Sequence, residues 1–138
     1  MNIDGVTTGI VLDHIKAGKS MEIYNLLHLD RLDCSVAIIQ NVESAKYVKK
    51  DIIKIDSMID LDVDILGYVD PHITVNRVVN GKLDKKDHLK LPEKLENVIQ
   101  CQNPRCITSV EREIPHIFYL ADEEKGKYRC SYCDVEKK

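Results

Sequence analysis

Two stretches decide how this chain is organised: Cys101-Gln102-Asn103-Pro104-Arg105-Cys106 and Cys130-Ser131-Tyr132-Cys133. They form two close cysteine pairs, with four residues between the first two and two between the second, separated by a long gap. Four thiolates held at about 2.3 Å from one ion require two tight loops, each offering two sulfurs to the same point. Asn103 and Pro104 suit the first loop, because Asn and Pro favour turns. Ser131 and Tyr132 form the second. Cys101, Cys106, Cys130 and Cys133 are therefore predicted to bind one structural zinc ion. Iron is a competitor, since the same four-sulfur geometry accepts either. A site with four protein ligands has no open coordination position and reads as structural. Two disulfides are the alternative, and Cys130 with Cys133 as a redox pair is another.

The remaining cysteine, Cys34, starts an apolar stretch and reads as a small core hydrophobe. With five cysteines in all, a disulfide framework would leave one unpaired. Residues 1–9 have no basic start and no apolar run, so no secretory signal is expected. The stretch 97–138 contains Val98, Ile99, Ile107, Val110, Ile117, Phe118, Tyr119, Leu120 and Tyr128 as strand-like apolar positions. A piece of about 40 residues rarely folds on such a core alone. Binding free energy of order 10 kcal/mol from a structural metal would make the difference. A small β-rich zinc domain that unfolds without metal is expected over residues 97–138.

The chain has 138 residues, 43% hydrophobic and 5% aromatic, with no Trp and one Phe. Its core must be built mainly of Ile, Leu and Val. No apolar run approaches the roughly 20 residues of a membrane helix. The formal net charge of -3 argues against broad binding of long polyanions while allowing a local basic pocket. Residues 101–138 hold seven Lys+Arg and seven Asp+Glu, so a nucleic-acid-binding zinc ribbon would lack a basic stripe.

Before the cysteines, residues 8–15 read as a buried strand and Ser20 as an N-cap opening a helix over 21–29. Residues 34–40 and 51–56 read as strands, 59–69 as a second helix, and 72–79 as a fourth strand. Asn80-Gly81 is a type I′ hairpin signal, with Leu83 beginning the return strand. Residues 84–90 read as an exposed segment leading to a linker. The order is the β-α-β-β-α-β plan of ferredoxin-like domains, over residues 1–92. The predicted class is α+β, with this domain followed by the zinc domain.

Three groups of polar residues interrupt the apolar strands: Asp13 with His14, Lys54, and Asn76 with Arg77. Each has a plain reading as a solvated face of a half-covered sheet. Asp-His suggests acid–base chemistry, but neighbouring strand residues point to opposite faces, so the two are not expected to aim at one group. No Gly-rich phosphate loop, HExxH or nucleophile elbow is present. Composition and pattern point to a non-catalytic binding protein.

Taken together, Val11-Leu-Asp-His-Ile15, Lys50-Asp-Ile-Ile-Lys-Ile55, Thr74-Val-Asn-Arg-Val78, Leu91-Pro-Glu-Lys-Leu-Glu-Asn-Val98 and the two cysteine pairs resemble the regulatory chain of aspartate carbamoyltransferase in order and spacing. The resemblance runs from about Ile3 to Cys133. It implies a cytoplasmic, non-catalytic chain. The N-terminal domain would bind nucleoside triphosphates (CTP, UTP, ATP) as allosteric effectors of pyrimidine biosynthesis. The zinc domain would dock on the catalytic chain, and regulatory homodimers would link catalytic trimers.

The resemblance also assigns residues. Asp13 and His14 would meet ribose and phosphate, and Lys54 and Lys86 phosphates and sugar. Asn76 would lie near the ribose, and Ile52 and Val78 would line the base pocket. Ile3, Asp4 and Val6 would contact the base, and Lys50 would lie near a second nucleotide or the phosphates. Lysines attract a triphosphate through compact positive charge. Gly81 stands where the family often has a Tyr near the base, which bears on effector preference.

Overall fold

A computed structural model of the chain describes residues 7–45 and 48–137. Ile3, Asp4 and Val6 lie outside the described residues. Contacts divide the chain into two compact units, Met1–Lys90 and Leu91–Lys138.

The first unit runs β1 (Gly9–Lys16), α1 (Ser20–Leu26), β2 (Val36–Glu43), β3 (Lys49–Ile55), α2 (Val63–Val69), β4 (Thr74–Val79) and β5 (Lys82–His88). The strands form one antiparallel sheet in the order β2-β3-β1-β4-β5. The first six elements follow the expected β-α-β-β-α-β plan. Strand alternation divides the apolar residues between two faces. Ile10 and Leu12 of β1, Ile53 and Ile55 of β3 and Val75 of β4 pack with Ile23 of α1 and with Leu66 and Val69 of α2. Val11, Ile52 and Val78 form a smaller cluster of their own.

Local chemistry sets the boundaries, and several differ from expectation. Lys19, not Ser20, occupies the N-cap of α1, and no side chain of its own caps the helix. The cap comes from β3 instead. The Asp51 carboxylate accepts from Gly18 N at 3.1 Å, Ser20 N at 3.3 Å and Asn41 N at 3.1 Å. Burial pushes the Asp51 carboxyl up. The Ser20 hydroxyl and these backbone donors outweigh it and hold the group below its ordinary value. α1 stops at Leu26 because His28 turns left-handed, at φ 53°, into a short 3-10 turn, Leu29–Arg31. Leu29 remains buried, so the apolar spacing continued past the helix itself. α2 begins at Val63 rather than 59, where Asp62 accepts from Asp64 N and Ile65 N.

Asn80 and Gly81 both have positive φ, 52° and 77°, as a type I′ turn requires. The return strand reaches His88, so most of the segment expected to be an exposed lead to a linker is the edge strand β5. Its charges fit an edge, where Lys in particular blunts pairing with other chains.

The second unit holds β6 (Lys94–Glu96), a short helix α3 (Ile107–Val110), β7 (Ile117–Asp122) and β8 (Lys127–Cys130). The strands form an antiparallel sheet in the order β6-β7-β8. β6 lies in the stretch 93–96 that the sequence reading left between domains. Leu95, Phe118 and Tyr128 are its large buried side chains, and the Tyr128 hydroxyl donates to Pro92 O at 2.7 Å. Ile107 and Val110, expected on strands, lie in α3 and are exposed, and Val98 and Ile99 lie in a bend.

Candidate metal centre and sheet-face site

The four cysteines converge. Cys101 and Cys106 flank the loop before α3, Cys130 ends β8, and Cys133 follows in the next turn. Their sulfurs all lie within 4.8 Å of one another. Cys101 and Cys133 are 3.6 Å apart, and Cys106 and Cys130 are 3.7 Å apart. A tetrahedron with arms of about 2.3 Å has edges of about 3.8 Å, so the spacing fits a metal ion. It is far from a disulfide, whose sulfurs sit about 2.05 Å apart, and all four cysteines are free.

Local bonds explain why the loops point inward. In the first, Arg105 N donates to Asn103 Oδ1 and Cys106 N to Asn103 O, closing a tight turn. Cys101 N donates to the His116 ring at 3.3 Å, which fixes the loop's start against the residue before β7. In the second, Asp134 takes φ 63° and its N–H returns to Cys130 O. The Tyr119 hydroxyl bonds the Asp134 carboxylate. Burial first, and then the neighbouring thiols, push Cys101 up to about 12. Burial also opposes ionisation of Cys133, but the Asn103 side chain and Val135 N–H prevail and bring it down to about 7. Such a cluster concentrates negative charge wherever it does ionise, which is the chemistry of a soft divalent site.

Several polar residues of the first unit meet on one sheet face, opposite the helices, whereas Arg77 alternates to the other face and pairs with Asp87. Lys54, Val11, Asn76 and Lys86 are successive register partners across β3, β1, β4 and β5. Ile52 and Val78 sit one alternation away on the same face. Asn76 Nδ2 donates to Val11 O at 3.2 Å. Asp13 and His14 overturn the expectation that they diverge. The register slips between Leu12 and Ile15, and His14 adopts φ 58°. This is a β-bulge, which breaks alternation and re-aims a side chain. Leu12 and Ile15 consequently both enter the helix-side core. His14 Nδ1 bonds Thr74 Oγ1 at 3.0 Å, and Thr74 is the register partner of Asp13. Both polar residues therefore face the Asn76 side.

Lys50 and Asp13 form an ion pair at 2.9 Å, with Asp13 fully buried. The other carboxylate oxygen, Asp13 Oδ2, is buried without a hydrogen-bond partner among the described residues. A buried acceptor left unmade is costly, which makes this atom a candidate contact for a donor. Sequence reasoning missed Thr74, which orients His14, and Asp51, which fixes the strand carrying Lys50 and Lys54. The Thr74-Val-Asn-Arg stretch was a signal for the former. Asp51 had none, since its partners are distant in sequence.

Two family models match the chain, one over each unit. Residues 1–90 match the family model of the aspartate carbamoyltransferase regulatory chain, allosteric domain. Residues 93–138 match that of the same chain's metal binding domain. The aspartate carbamoyltransferase regulatory chain of Clostridium acetobutylicum is 52% identical over 134 residues, 97% of this chain and 92% of the relative. That of Clostridium tetani is 52% identical over 135 residues, 97% of this chain and 94% of the relative. That of Bifidobacterium longum is 41% identical over 138 residues, 100% of this chain and 99% of the relative. The chain belongs to the aspartate carbamoyltransferase regulatory chain family, as a non-catalytic chain with an allosteric domain and a metal-binding domain.

Proposed function

We propose that the first unit binds nucleoside triphosphates such as CTP, UTP and ATP, and that the second holds zinc and docks on the catalytic chain. The observation that carries the nucleotide reading is the row Lys54–Val11–Asn76–Lys86, with His14 and Asp13 beside it. Three inter-strand steps of about 4.8 Å separate the two lysines by about 14 Å. An extended anion such as a nucleotide meets both by lying across β1 and β4. Lys54 and Lys86 then face phosphates and sugar, Asp13 Oδ2 accepts from a ribose hydroxyl, and Ile52 and Val78 offer an apolar floor to the base. Ile3, Asp4 and Val6 belong to this proposal as base contacts.

Zinc is proposed over iron because it takes closed four-thiolate sites with no redox chemistry. The exposed Ile107, Val110, Tyr132 and Val135 give the second unit apolar surface for a catalytic chain. The edge strand β2, with Ile39 partly exposed, offers unpaired backbone for a regulatory homodimer that links catalytic trimers. Among the described residues no helix is long and apolar enough to cross a membrane. Pyrimidine biosynthesis in the cytoplasm is the proposed setting.

A nucleotide shifts the holoenzyme through unequal affinity for two quaternary states, with a coupling of about 1–3 kcal/mol. The test is calorimetric titration of CTP and ATP into wild type and Lys54→Ala. The variant should keep its fold and lose about tenfold or more in affinity, the worth of one charge-assisted contact. Unchanged affinity would remove Lys54 from the site.

A further inference from the structure

We infer that Thr108 is a positioning residue for the metal, its hydroxyl donating to the Cys106 sulfur and holding that ligand in place. The inference rests on the metal-binding reading of the cluster and names a residue outside the four ligands.

The geometry is direct. Thr108 Oγ1 lies 3.1 Å from Cys106 Sγ, within the range of a hydroxyl–sulfur hydrogen bond. Thr108 is 4% exposed, while Ile107 and Val110 in the same short helix are exposed at 45% and 68%. The turn that follows Cys106 therefore turns Thr108 inward and its aliphatic residues outward, the reverse of ordinary burial, while Ser109 is exposed with its hydroxyl donating to Asn103 O. A Thr in a helix commonly bonds the carbonyl four residues back; here its hydroxyl reaches a metal-ligand sulfur.

The charge of the cluster shows why a donor is needed. Four thiolates around a divalent ion leave two net negative charges in a largely buried site. Hydrogen bonds to sulfur spread that charge and fix ligand orientation. Cys106, itself 2% exposed, receives a side-chain hydroxyl, so this contact can be removed by substitution without touching the backbone.

The test uses the full chain loaded with Co2+, followed by its sulfur-to-metal charge-transfer band and by competition with a chelator. Thr108→Val keeps the shape and removes the donor. It should lower cobalt affinity by about 10- to 100-fold and move the band to lower energy, because the sulfur lone pair is no longer stabilised. Thr108→Ser should restore both. A Thr108→Val chain that cannot be loaded while Thr108→Ser loads normally is the extreme of the same result. The inference is overturned if Thr108→Val matches wild type in affinity and band, or if Thr108→Ser is as weak as Thr108→Val. Wild type that takes up no cobalt would overturn the metal reading and this inference together. Uptake by wild type with no difference among variants would overturn the role of Thr108 alone.

Discussion

The two units solve the same stability problem by different means. The first buries Ile10, Leu12, Ile15, Ile53, Ile55, Leu66 and Val75 between a sheet and two helices. The second has Leu95, Phe118 and Tyr128 as its large buried side chains and places three of its four clustered cysteines among the buried residues. Three such side chains contribute about 1.5–3 kcal/mol each. A structural metal contributes about 10–16 kcal/mol. The difference teaches where each unit can tolerate polar groups. A large apolar core on one face leaves the other face of the first sheet free to collect Asp13, His14, Lys54 and Asn76. The second unit has no such reserve, and a metal held by its four cysteines is proposed to supply what its apolar core lacks.

The largest effect that would break this contrast is at the cluster. Cys130→Ser should release the metal, unfold the second unit and abolish association with catalytic trimers, while the first unit keeps its circular dichroism and triphosphate binding. A metal-free Cys130→Ser chain that still assembled would refute the structural role of the ion. Next is the apolar core: Ile53→Ala should destabilise the first unit by about 2–5 kcal/mol in urea unfolding and leave metal content unchanged. The smallest effect is at the strand-borne helix cap. Asp51→Asn should cost the first unit about 1.5–3 kcal/mol at neutral pH, since it weakens hydrogen bonds to a charged acceptor.

The sign of the pH dependence follows from the lowered Asp51 value. A carboxyl held below its ordinary value of 3.8 stabilises the fold above that value and loses its effect as pH falls through the lower folded value. Wild type should therefore lose its advantage over Asp51→Asn on acidification below about pH 4. A constant difference down to pH 2 would remove the charge from the explanation.

Much of the fold is legible in residues that act locally. Asn80-Gly81 specified its turn because few other pairs take two positive φ angles. The cysteine pairs specified their cluster because a shared ion dictates spacing. What sequence could not show was set at a distance. Ser20 is a good N-cap residue by type, yet Asp51 on β3 reaches the helix start first. The charged run 84–90 has no apolar alternation because β5 is an edge strand. Asp13 and His14 look divergent under regular alternation, and a bulge at His14 reunites them. The bulge carries no Gly to announce it. Its trace is the spacing of Leu12 and Ile15, three apart and both needed in the core.

The contrast between the units is tested most directly by amide hydrogen exchange on the full chain, under reducing conditions, before and after the metal is stripped with a chelator. Protection should collapse in β6, β7 and β8 and persist in β1, β3 and β4, with the metal restoring what was lost. Persistent protection at Phe118 and Tyr128 in the stripped chain would contradict the account, as would simultaneous loss of protection at Ile53 and Val75.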